Sequence, residues 1–244
     1  MFDLSRRGTC TAGLPVSGSM ASTSSLGAIL AGGQSRRFGA PKALAEIGGA
    51  PIIARVRDAL LGAAADVVLI TGEPGLFAGL DLPTRPDAVA GAGALSGVHT
   101  ALLHARGAGY GAVFCVACDM PFLSAPLLRR LRERWEESGA HAVVPASPGP
   151  LGFEPLCALY SVAALPEVEA RVRRDERALG GLIDALDADR IPLTEVLRFG
   201  EPNTLFLNVN TPEDYQRALR IARRTPDTRQ PPGALTAGDT NEPE

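Results

Sequence analysis

The sequence predicts an α/β fold, a Rossmann-like three-layer sandwich with a mostly parallel central sheet and helices on both faces. Apolar runs of strand length alternate with amphipathic segments of helix length, and the runs are apolar throughout, as in strands buried on both faces. In addition, three of the runs end at glycine or aspartate, and ligands of parallel sheets lie beyond such carboxyl ends.

Strands and helices alternate strictly before residue 150. Pro51 favours the start of the first helix, because proline is tolerated in a first turn, and Gly139 favours the end of the third. Apolar residues at 95, 98, 102 and 103 indicate a buried face on the second helix. The predicted strands are 26–31, 66–71, 112–118 and 141–146, and the predicted helices are 51–64, 94–107 and 125–139.

The alternation loosens after Pro150. We expect an edge strand, a helix, a late strand and a terminal helix, at 154–160, 166–176, 204–210 and 211–224. The terminal helix has the strongest start signal, with Thr211 as N-cap, Pro212 in the first position and acidic residues in the first turn.

Both ends of the chain differ in composition from its middle. The start is rich in Ser, Thr and Gly, and the end is rich in Pro and Thr with few apolar residues. We therefore predict a disordered extension at 1–25, one folded domain at 26–223 and a disordered tail at 224–244, with Met20 as an alternative start.

Composition excludes several classes of protein. A net charge of -3 and a pI near 5.7 do not suit a nucleic-acid binder, which usually carries a basic face. No stretch approaches the roughly 20 apolar residues that span a bilayer, and the N-terminus lacks the apolar region of a signal peptide. Four cysteines are too few for a disulfide scaffold. These features predict a cytoplasmic protein without nucleic-acid or membrane partners.

The first candidate site is the stretch "LGAILAGGQSRRFGAPK" at 26–42. Glycines directly after a strand let backbone N–H groups approach a phosphate, and Arg36, Arg37 and Lys42 would neutralise a polyanion such as a triphosphate. The spacing fits neither the Walker A pattern nor the dinucleotide-binding fingerprint. A glycine pair after a strand is by itself more often a tight turn, but the added cations favour a phosphate site.

Asp119 is the second candidate, in "CDMPFL" at the end of the third strand. A lone aspartate there is often a helix cap or part of a turn. Alternatively it binds Mg²⁺, whose usual environment is one or two carboxylates plus phosphate oxygens. A parallel sheet would place Asp119 beside the glycine loop of the first strand, which favours the magnesium interpretation.

Other polar residues carry weaker signals. Asp87 lies in a glycine-rich loop that could contact a base or ribose, or could be an ordinary loop, and Asn208 and Asn210 bracket a strand end as turn, capping or pocket residues. Cys115 and Cys118 form a C-x-x-C inside a predicted strand, where residues three apart point to opposite faces. We therefore predict core cysteines, and neither a redox pair nor a zinc site.

Four motifs together resemble the molybdenum cofactor guanylyltransferases, within the nucleotidyltransferases that activate phosphorylated small molecules. They span nearly the whole predicted domain in the family's order: "LAGGQSRRFGAPKAL" at 30–44, the aspartate and "GALSG" loop at 87–97, "CDMPFL" at 118–123 and "NVNTPEDY" at 208–215. The resemblance implies that 26–223 is a single nucleotidyltransferase domain.

The resemblance also implies residue roles. The nucleotide would be bound by the backbone of Leu30, Ala31, Gly32 and Gly33, and Lys42 and Arg37 would contact its phosphates. Asp87 would contact its nucleoside, and Asp119 would bind both Mg²⁺ and the nucleotide. Asn208 and Asn210 would lie on the side of the pterin substrate. Relatives that use CTP tend to read L-A-A-G, so Gly32-Gly33 favours GTP. The chain departs from the family pattern at Phe38, Pro41, Ala94-Leu95-Ser96 and Thr71-Gly72-Glu73.

The predicted reaction is transfer of GMP from GTP to the terminal phosphate of molybdopterin, with release of pyrophosphate. The same chemistry on other substrates is the first alternative, as in a CTP-dependent molybdopterin cytidylyltransferase or a sugar-phosphate nucleotidyltransferase. A non-catalytic nucleotide-binding partner protein is the second. Transient contact with cofactor-biosynthesis or molybdoenzyme-chaperone proteins is a further expectation.

Overall fold

The computed structural model describes residues 24–32, 42–89 and 93–224, and nine strands occur within these ranges. Seven of them form a central sheet, and two form a separate short hairpin. The sheet strands are β1 Ser25–Leu30, β4 Asp66–Ile70, β5 Thr84–Arg85, β6 Ala112–Ala117, β7 Ala142–Pro145, β8 Cys157–Ser161 and β9 Asp189–Ile191, and the hairpin strands are β2 Glu46–Ile47 and β3 Ala50–Pro51.

Eight α-helices and three short 3₁₀ helices occur in the same ranges. All five predicted helices begin and end within a few residues of observed ones, and the prediction of 94–107 agrees at both ends. The α-helices are α1 Ile52–Leu61, α2 Ala94–Gly107, α3 Ala125–Ser138, α4 Leu165–Arg173, α5 Leu179–Ala185, α6 Leu193–Val196, α7 Pro202–Leu205 and α8 Pro212–Arg224, and the 3₁₀ helices are Lys42–Leu44, Pro74–Leu80 and Val162–Ala164.

The sheet is mostly parallel, as predicted, and its order is β5-β4-β1-β6-β8-β7-β9. β1 pairs in parallel with β4 on one side and β6 on the other, whereas β8 runs antiparallel to both of its neighbours. The chain passes from β1 outward to β4 and β5, and α2 then returns it across β1 to β6. The strand order therefore reverses between β1 and β6, and such a reversal opens a crevice at the carboxyl ends of the strands.

Helices cover both faces of the sheet. One apolar cluster packs α1 and α3 against residues such as Phe114, and the other packs α2, α4 and α5 against residues such as Cys115 on the opposite face. A third, smaller cluster joins the β2–β3 hairpin to α8 and to Leu207 and Val209. The described part of the chain is thus a three-layer sandwich, and a small separate apolar cluster lies beside the crevice.

Two predictions for the second half of the chain are wrong. Residues 154–160 were expected to form an edge strand, but β8 lies inside the sheet between β6 and β7, with all five residues buried. Residues 204–210 were expected to form a strand, but they complete α7 and then continue without joining a ladder. Their apolar side chains are buried in local clusters, which gives a strand-like pattern without strand pairing.

The start of α8 agrees with its sequence signal. The Asp214 N–H donates to Thr211 Oγ1 at 3.1 Å, and the Thr211 N–H donates back to Asp214 Oδ2 at 2.9 Å. This reciprocal pair is a capping box, which satisfies N–H groups that a helix start leaves unpaired.

Neither end of the chain beyond these elements is described. Residues 1–23 and 225–244 lie outside the described ranges, so the division into extension, domain and tail stays a prediction. Within the described ranges, no helix combines the length and the apolar character that crossing a membrane requires.

Candidate active site

The candidate site lies where β1 and β6 end side by side. The Cys118 N–H donates to the Leu30 carbonyl at 3.3 Å, and the Ala31 N–H donates to the Ile70 carbonyl at 2.9 Å, so the sheet continues one step past the named strands. These bonds commit the Leu30 carbonyl and the Ala31 N–H to the sheet. Among the described residues, the backbone groups predicted to contact a nucleotide that these two bonds leave available include the Ala31 carbonyl and the Gly32 peptide.

Lys42, Asp119 and Asn210 meet at this edge. The Lys42 ammonium donates to Asp119 Oδ2 at 2.5 Å and also to Asn210 Oδ1. These residues are separated by 77 and 168 positions in the chain and come from the 3₁₀ turn before β2, the turn after β6 and the start of α8. Asp119 is only 7% exposed, so its charge depends on the ammonium for compensation.

Hydrogen bonds of the backbone fix the positions of Asp119 and Asn210, the two residues that accept hydrogen bonds from Lys42. The Val209 N–H donates to the Asp119 carbonyl at 3.0 Å, and the Asn210 N–H donates to Asp214 Oδ2 at 3.1 Å. The side chain of Asn208 instead turns back on its own segment, where its amide donates to the Phe206 carbonyl at 3.2 Å. Of the two asparagines predicted for the substrate side, Asn210 thus contacts the charged pair, and Asn208 supports the turn.

The segment after β5 forms the other half of the site. Gly93 precedes α2 with a φ of 62°, which favours glycine, and the Ala88 N–H donates to Thr100 Oγ1 at 2.8 Å. Asp87 is half-buried; burial raises the pKa of its carboxyl, and a hydrogen bond with Ser96 partly offsets this rise.

Gly32 lies directly beside Asp87. A Cβ atom built on Gly32 would stand 3.3 Å from Asp87 Oδ2, which is closer than most real contacts of a Cβ atom. The absence of a side chain at residue 32 therefore lets the Asp87 carboxyl approach the end of β1. Gly33 and Arg37, predicted for the same loop, lie outside the described residues, and their roles stay predictions.

Glu154 also lies at this edge, and the sequence analysis missed it. In the β6/β8 register Val116 lies opposite Cys157, and the Ala117 N–H donates to the Leu156 carbonyl at 3.0 Å. Glu154 begins the turn that leads into β8, where the Cys157 N–H donates to its carbonyl at 3.3 Å, and it lies close enough to Asp119 for the two charges to interact. Burial and, to a smaller extent, the negative charge of Asp119 raise the pKa of Glu154 to about 7, although a hydrogen bond from the Leu156 N–H lowers it.

The C-x-x-C behaves as the sequence predicts. Cys115 is buried on one face of the sheet, and Cys118 packs against the cluster on the other face. Burial raises the pKa of the Cys118 thiol to about 12, so it stays protonated beside Asp119. Cys115, Cys118 and Cys157 are free thiols, and no group of three His, Cys, Asp or Glu side chains in the described ranges could hold a metal.

Lys42 is the single lysine of the 244 residues, because the other 23 of the 24 basic residues are arginines. An ammonium is a compact point charge, whereas a guanidinium is a planar fork. In a chain whose other 23 strongly basic residues are arginines, the lysine stands where side-chain oxygens from two distant segments converge. The sequence analysis singled out Lys42 by its motif, but the residue count gives an independent signal.

The chain resembles known proteins over most of its length. The MobA-like NTP transferase domain matches residues 27–189. A molybdenum cofactor guanylyltransferase of Rhodobacter capsulatus is 37% identical over 199 residues, covering 79% of this chain and 93% of that protein. A probable molybdenum cofactor guanylyltransferase of Pelotomaculum thermopropionicum is 35% identical over 201 residues, covering 82% of this chain and 94% of that protein.

Solved structures show the same fold. The crystal structure of molybdopterin-guanine dinucleotide biosynthesis protein A from Archaeoglobus fulgidus has a TM-score of 0.69 at 26% identity, covering 82% of this chain and 100% of that one. A 2-C-methyl-D-erythritol 4-phosphate cytidylyltransferase from Thermus thermophilus shares the fold at a TM-score of 0.55 and 20% identity, covering 80% of this chain and 98% of that one. The chain belongs to the MobA-like NTP transferase family.

Proposed function

We propose that this protein is a molybdenum cofactor guanylyltransferase, which transfers GMP from GTP to the terminal phosphate of molybdopterin. Family membership and the names of the relatives support this activity. The observation that carries it is the convergence of Lys42, Asp119 and Asn210 at the crevice between β1 and β6. That crevice is where a sheet of this topology binds a nucleotide.

The reaction needs no protein nucleophile. An oxygen of the acceptor phosphate forms a bond to the α-phosphorus of GTP, the bond from that phosphorus to the bridging oxygen breaks, and pyrophosphate leaves with the electron pair. The second pKa of a phosphate monoester is about 6, so the acceptor is a dianion at neutral pH without a general base. Catalysis then consists of positioning the two phosphates and neutralising their charge.

Each half of the site has its own task in this proposal. The Ala31 carbonyl, the Gly32 peptide and Asp87 bind the nucleoside. Lys42 binds the phosphates of the nucleotide together with Arg37, which lies outside the described ranges. Asn210, which also contacts Lys42, faces the acceptor, and Asn208 supports the turn that carries Asn210. The Lys42–Asp119 contact supports these assignments, because it places the phosphate-binding cation beside the carboxylate that would hold the metal of the metal–nucleotide complex.

The donor atoms fit Mg²⁺. The Asp119 carboxylate and the Asn210 amide oxygen are hard oxygen donors that already converge on one cation, the Lys42 ammonium. With a single carboxylate, the protein leaves most of the coordination to phosphate oxygens and water, as magnesium sites usually do. We propose Asp119 as the principal ligand. When bound, Mg²⁺ would neutralise phosphate charge and polarise the α-phosphate.

GTP is the proposed nucleotide because of the relation between Gly32 and Asp87. With no Cβ on Gly32, the Asp87 carboxylate has room at the end of β1 and can accept hydrogen bonds from a nucleoside. The relatives that use CTP tend to carry alanine here. A cytoplasmic location and transient contact with cofactor-biosynthesis or molybdoenzyme-chaperone proteins accompany the proposal and stay predictions.

The deciding experiment supplies the purified full chain with molybdopterin, Mg²⁺ and one of GTP, CTP, ATP or UTP. We expect pyrophosphate release with GTP and a guanine dinucleotide product identified by mass spectrometry. A cytosine dinucleotide would establish the cytidylyltransferase instead. GTP binding without pyrophosphate release would establish the non-catalytic partner, and pyrophosphate release with a sugar phosphate as acceptor would establish the remaining alternative.

A further inference from the structure

We propose that Arg55 is the positioning residue of this site, which sets the distance between the segment of Lys42 and that of Asp119. The inference rests on the proposed function, because it concerns the same catalytic groups. Arg55 lies in α1, touches neither Lys42 nor Asp119 in any described contact, and is 9% exposed. It is therefore a candidate for acting through other residues.

The guanidinium bonds to one carbonyl in each of the two segments. Its Nε donates to the Pro121 carbonyl at 3.0 Å, two residues after Asp119, and one terminal nitrogen donates to the Ile47 carbonyl at 3.2 Å, five residues after Lys42. A rigid, planar fork that spans both carbonyls fixes their separation. Through these two bonds, one side chain joins the turn after β6 to the hairpin that follows the Lys42 turn.

The chain between Lys42 and Ile47 is short and internally bonded. The Ala45 N–H donates to the Lys42 carbonyl at 3.1 Å, and the Ile52 N–H donates to the Ala45 carbonyl at 3.0 Å. A displacement of Ile47 should therefore also displace Lys42, because the chain between them is not a flexible loop. The turn at Gly48 packs against Arg55, since a Cβ atom built on Gly48 would stand 3.4 Å from a guanidinium nitrogen.

Arg55 also reaches the segment that precedes Asn210. The Phe122 ring lies 5.9 Å from the centre of the guanidinium, and it packs into the small cluster that contains Ile47, Leu207 and Val209. The Val209 N–H in turn holds the Asp119 carbonyl. The guanidinium thus contacts the segments of Lys42 and Asp119 directly, and the segment of Asn210 through Phe122.

A buried arginine is costly unless its N–H groups are paired, so a role in stability alone must be separated from positioning. Arg57 provides the matched control. It lies in the same helix two residues on, and its guanidinium also bonds to a carbonyl, that of Leu80 at 3.3 Å, and to Asp58. Leu80 belongs to the 3₁₀ helix before β5 and supports neither Lys42 nor Asp119.

The first measurement follows Lys42 itself, without any turnover. Because Lys42 is the only lysine, acetic anhydride labels one side-chain amine, and peptide mapping separates it from the N-terminal amine. Acylation requires the amine to leave the Asp119 and Asn210 oxygens. We expect Lys42 to be acylated severalfold faster in Arg55→Lys and Arg55→Met than in the wild type, and at the wild-type rate in Arg57→Met.

The second measurement is kinetic. We expect kcat to fall about a hundredfold in Arg55→Lys, since displacing reacting groups by about 1 Å costs this much. The KM for GTP should change little, because the nucleoside half of the site is built on β1 and α2. Guanidinium ion at millimolar concentration should partly restore kcat in Arg55→Ala and have no such effect on Arg57→Ala.

The outcomes separate the two proposals. If the wild type forms no dinucleotide, the proposed function fails, and the acylation rates still test Arg55. If Arg55→Lys lowers the melting temperature while acylation, kcat and KM stay at wild-type values below it, Arg55 is structural only and the inference is overturned. Equal effects of the Arg55 and Arg57 variants would overturn it as well.

Discussion

Asp119 and Glu154 lie near each other at the crevice, where the charge of Asp119 contributes to the raised pKa of Glu154, and of the two it is Asp119 that holds the Lys42 ammonium, at 2.5 Å. Two neighbouring carboxyl groups therefore differ in their surroundings. Asp119 is compensated by a cation, whereas burial favours the neutral form of Glu154. Environments that separate neighbouring carboxyl groups in this way are typical of enzyme sites.

Glu154→Gln should change stability in a pH-dependent manner. The folded-state pKa of Glu154, about 7, lies above its ordinary value, so its contribution is complete below about pH 4 and is lost as the pH rises through 7. Glutamine cannot ionise. We expect the melting temperature of the variant to exceed that of the wild type by a clearly larger margin at pH 8 than at pH 5.

The control for this prediction is Glu73→Gln, which removes a carboxyl from an exposed position. Thermal unfolding followed by circular dichroism at both pH values suffices. A Glu154→Gln variant that gains nothing over the wild type between pH 5 and pH 8 would show that this carboxyl ionises freely in the fold.

Lys42→Arg should inactivate the enzyme although it preserves the charge. A guanidinium is wider than an ammonium and cannot occupy the same point between Asp119 and Asn210, so the phosphate-binding charge would be displaced. We expect kcat to fall about a hundredfold. The measurement is pyrophosphate release at saturating GTP, with Arg57→Lys as the reverse exchange at a control position; full activity in Lys42→Arg would show that only the charge matters.

Asp119→Asn should abolish turnover while leaving the fold intact. The amide keeps the size of the side chain, but it removes the negative charge that pairs with Lys42 and that we assign to the metal. A loss of about a hundredfold to a thousandfold in kcat is expected for one electrostatic group of this kind. Binding of Mn²⁺ in the presence of GTP, measured by electron paramagnetic resonance, should weaken in parallel. Near-normal activity would contradict the assignment of Asp119 as the metal ligand.

Gly32→Ala should discriminate between nucleotides. Its Cβ would stand 3.3 Å from Asp87 Oδ2 and would push that carboxylate from the end of β1. We expect the KM for GTP to rise, with a smaller change in kcat, because the effect falls on the nucleoside and not on the phosphates. Parallel assays with GTP and CTP check this. If the ratio of kcat/KM for GTP to kcat/KM for CTP is the same in the variant and the wild type, Gly32 has no role in base selection.

The sequence predicted most of the nucleotide half of the fold. Alternating apolar and amphipathic segments placed β1, β4, β6 and their helices, because those strands are buried on both faces and read as continuous apolar runs. The motif at 30–44 also identified Lys42, and the parallel sheet placed Asp119 beside the end of β1, where the structure has it.

The remainder depended on pairing that no local pattern encodes. The apolar run of β8 shows that its residues are buried, but not that it lies between β6 and β7 and runs in the opposite direction. Glu154 was missed for this reason, since the turn that carries it comes near Asp119 only because β8 pairs with β6. Arg55 was missed because a basic residue in an amphipathic helix is ordinarily solvated, whereas here two distant carbonyls surround it.

The separation of Lys42 from Asn210 has a consequence for biosynthesis. A ribosome releases Lys42 long before it releases Asn210, which follows 168 residues later, and α8 must still be added to cap that segment. Domains fold as their residues emerge, so the β1–β6 core can assemble while the nascent chain is still attached. The charged trio cannot close at that stage. Nucleotide binding should therefore be one of the last properties that a newly made chain acquires.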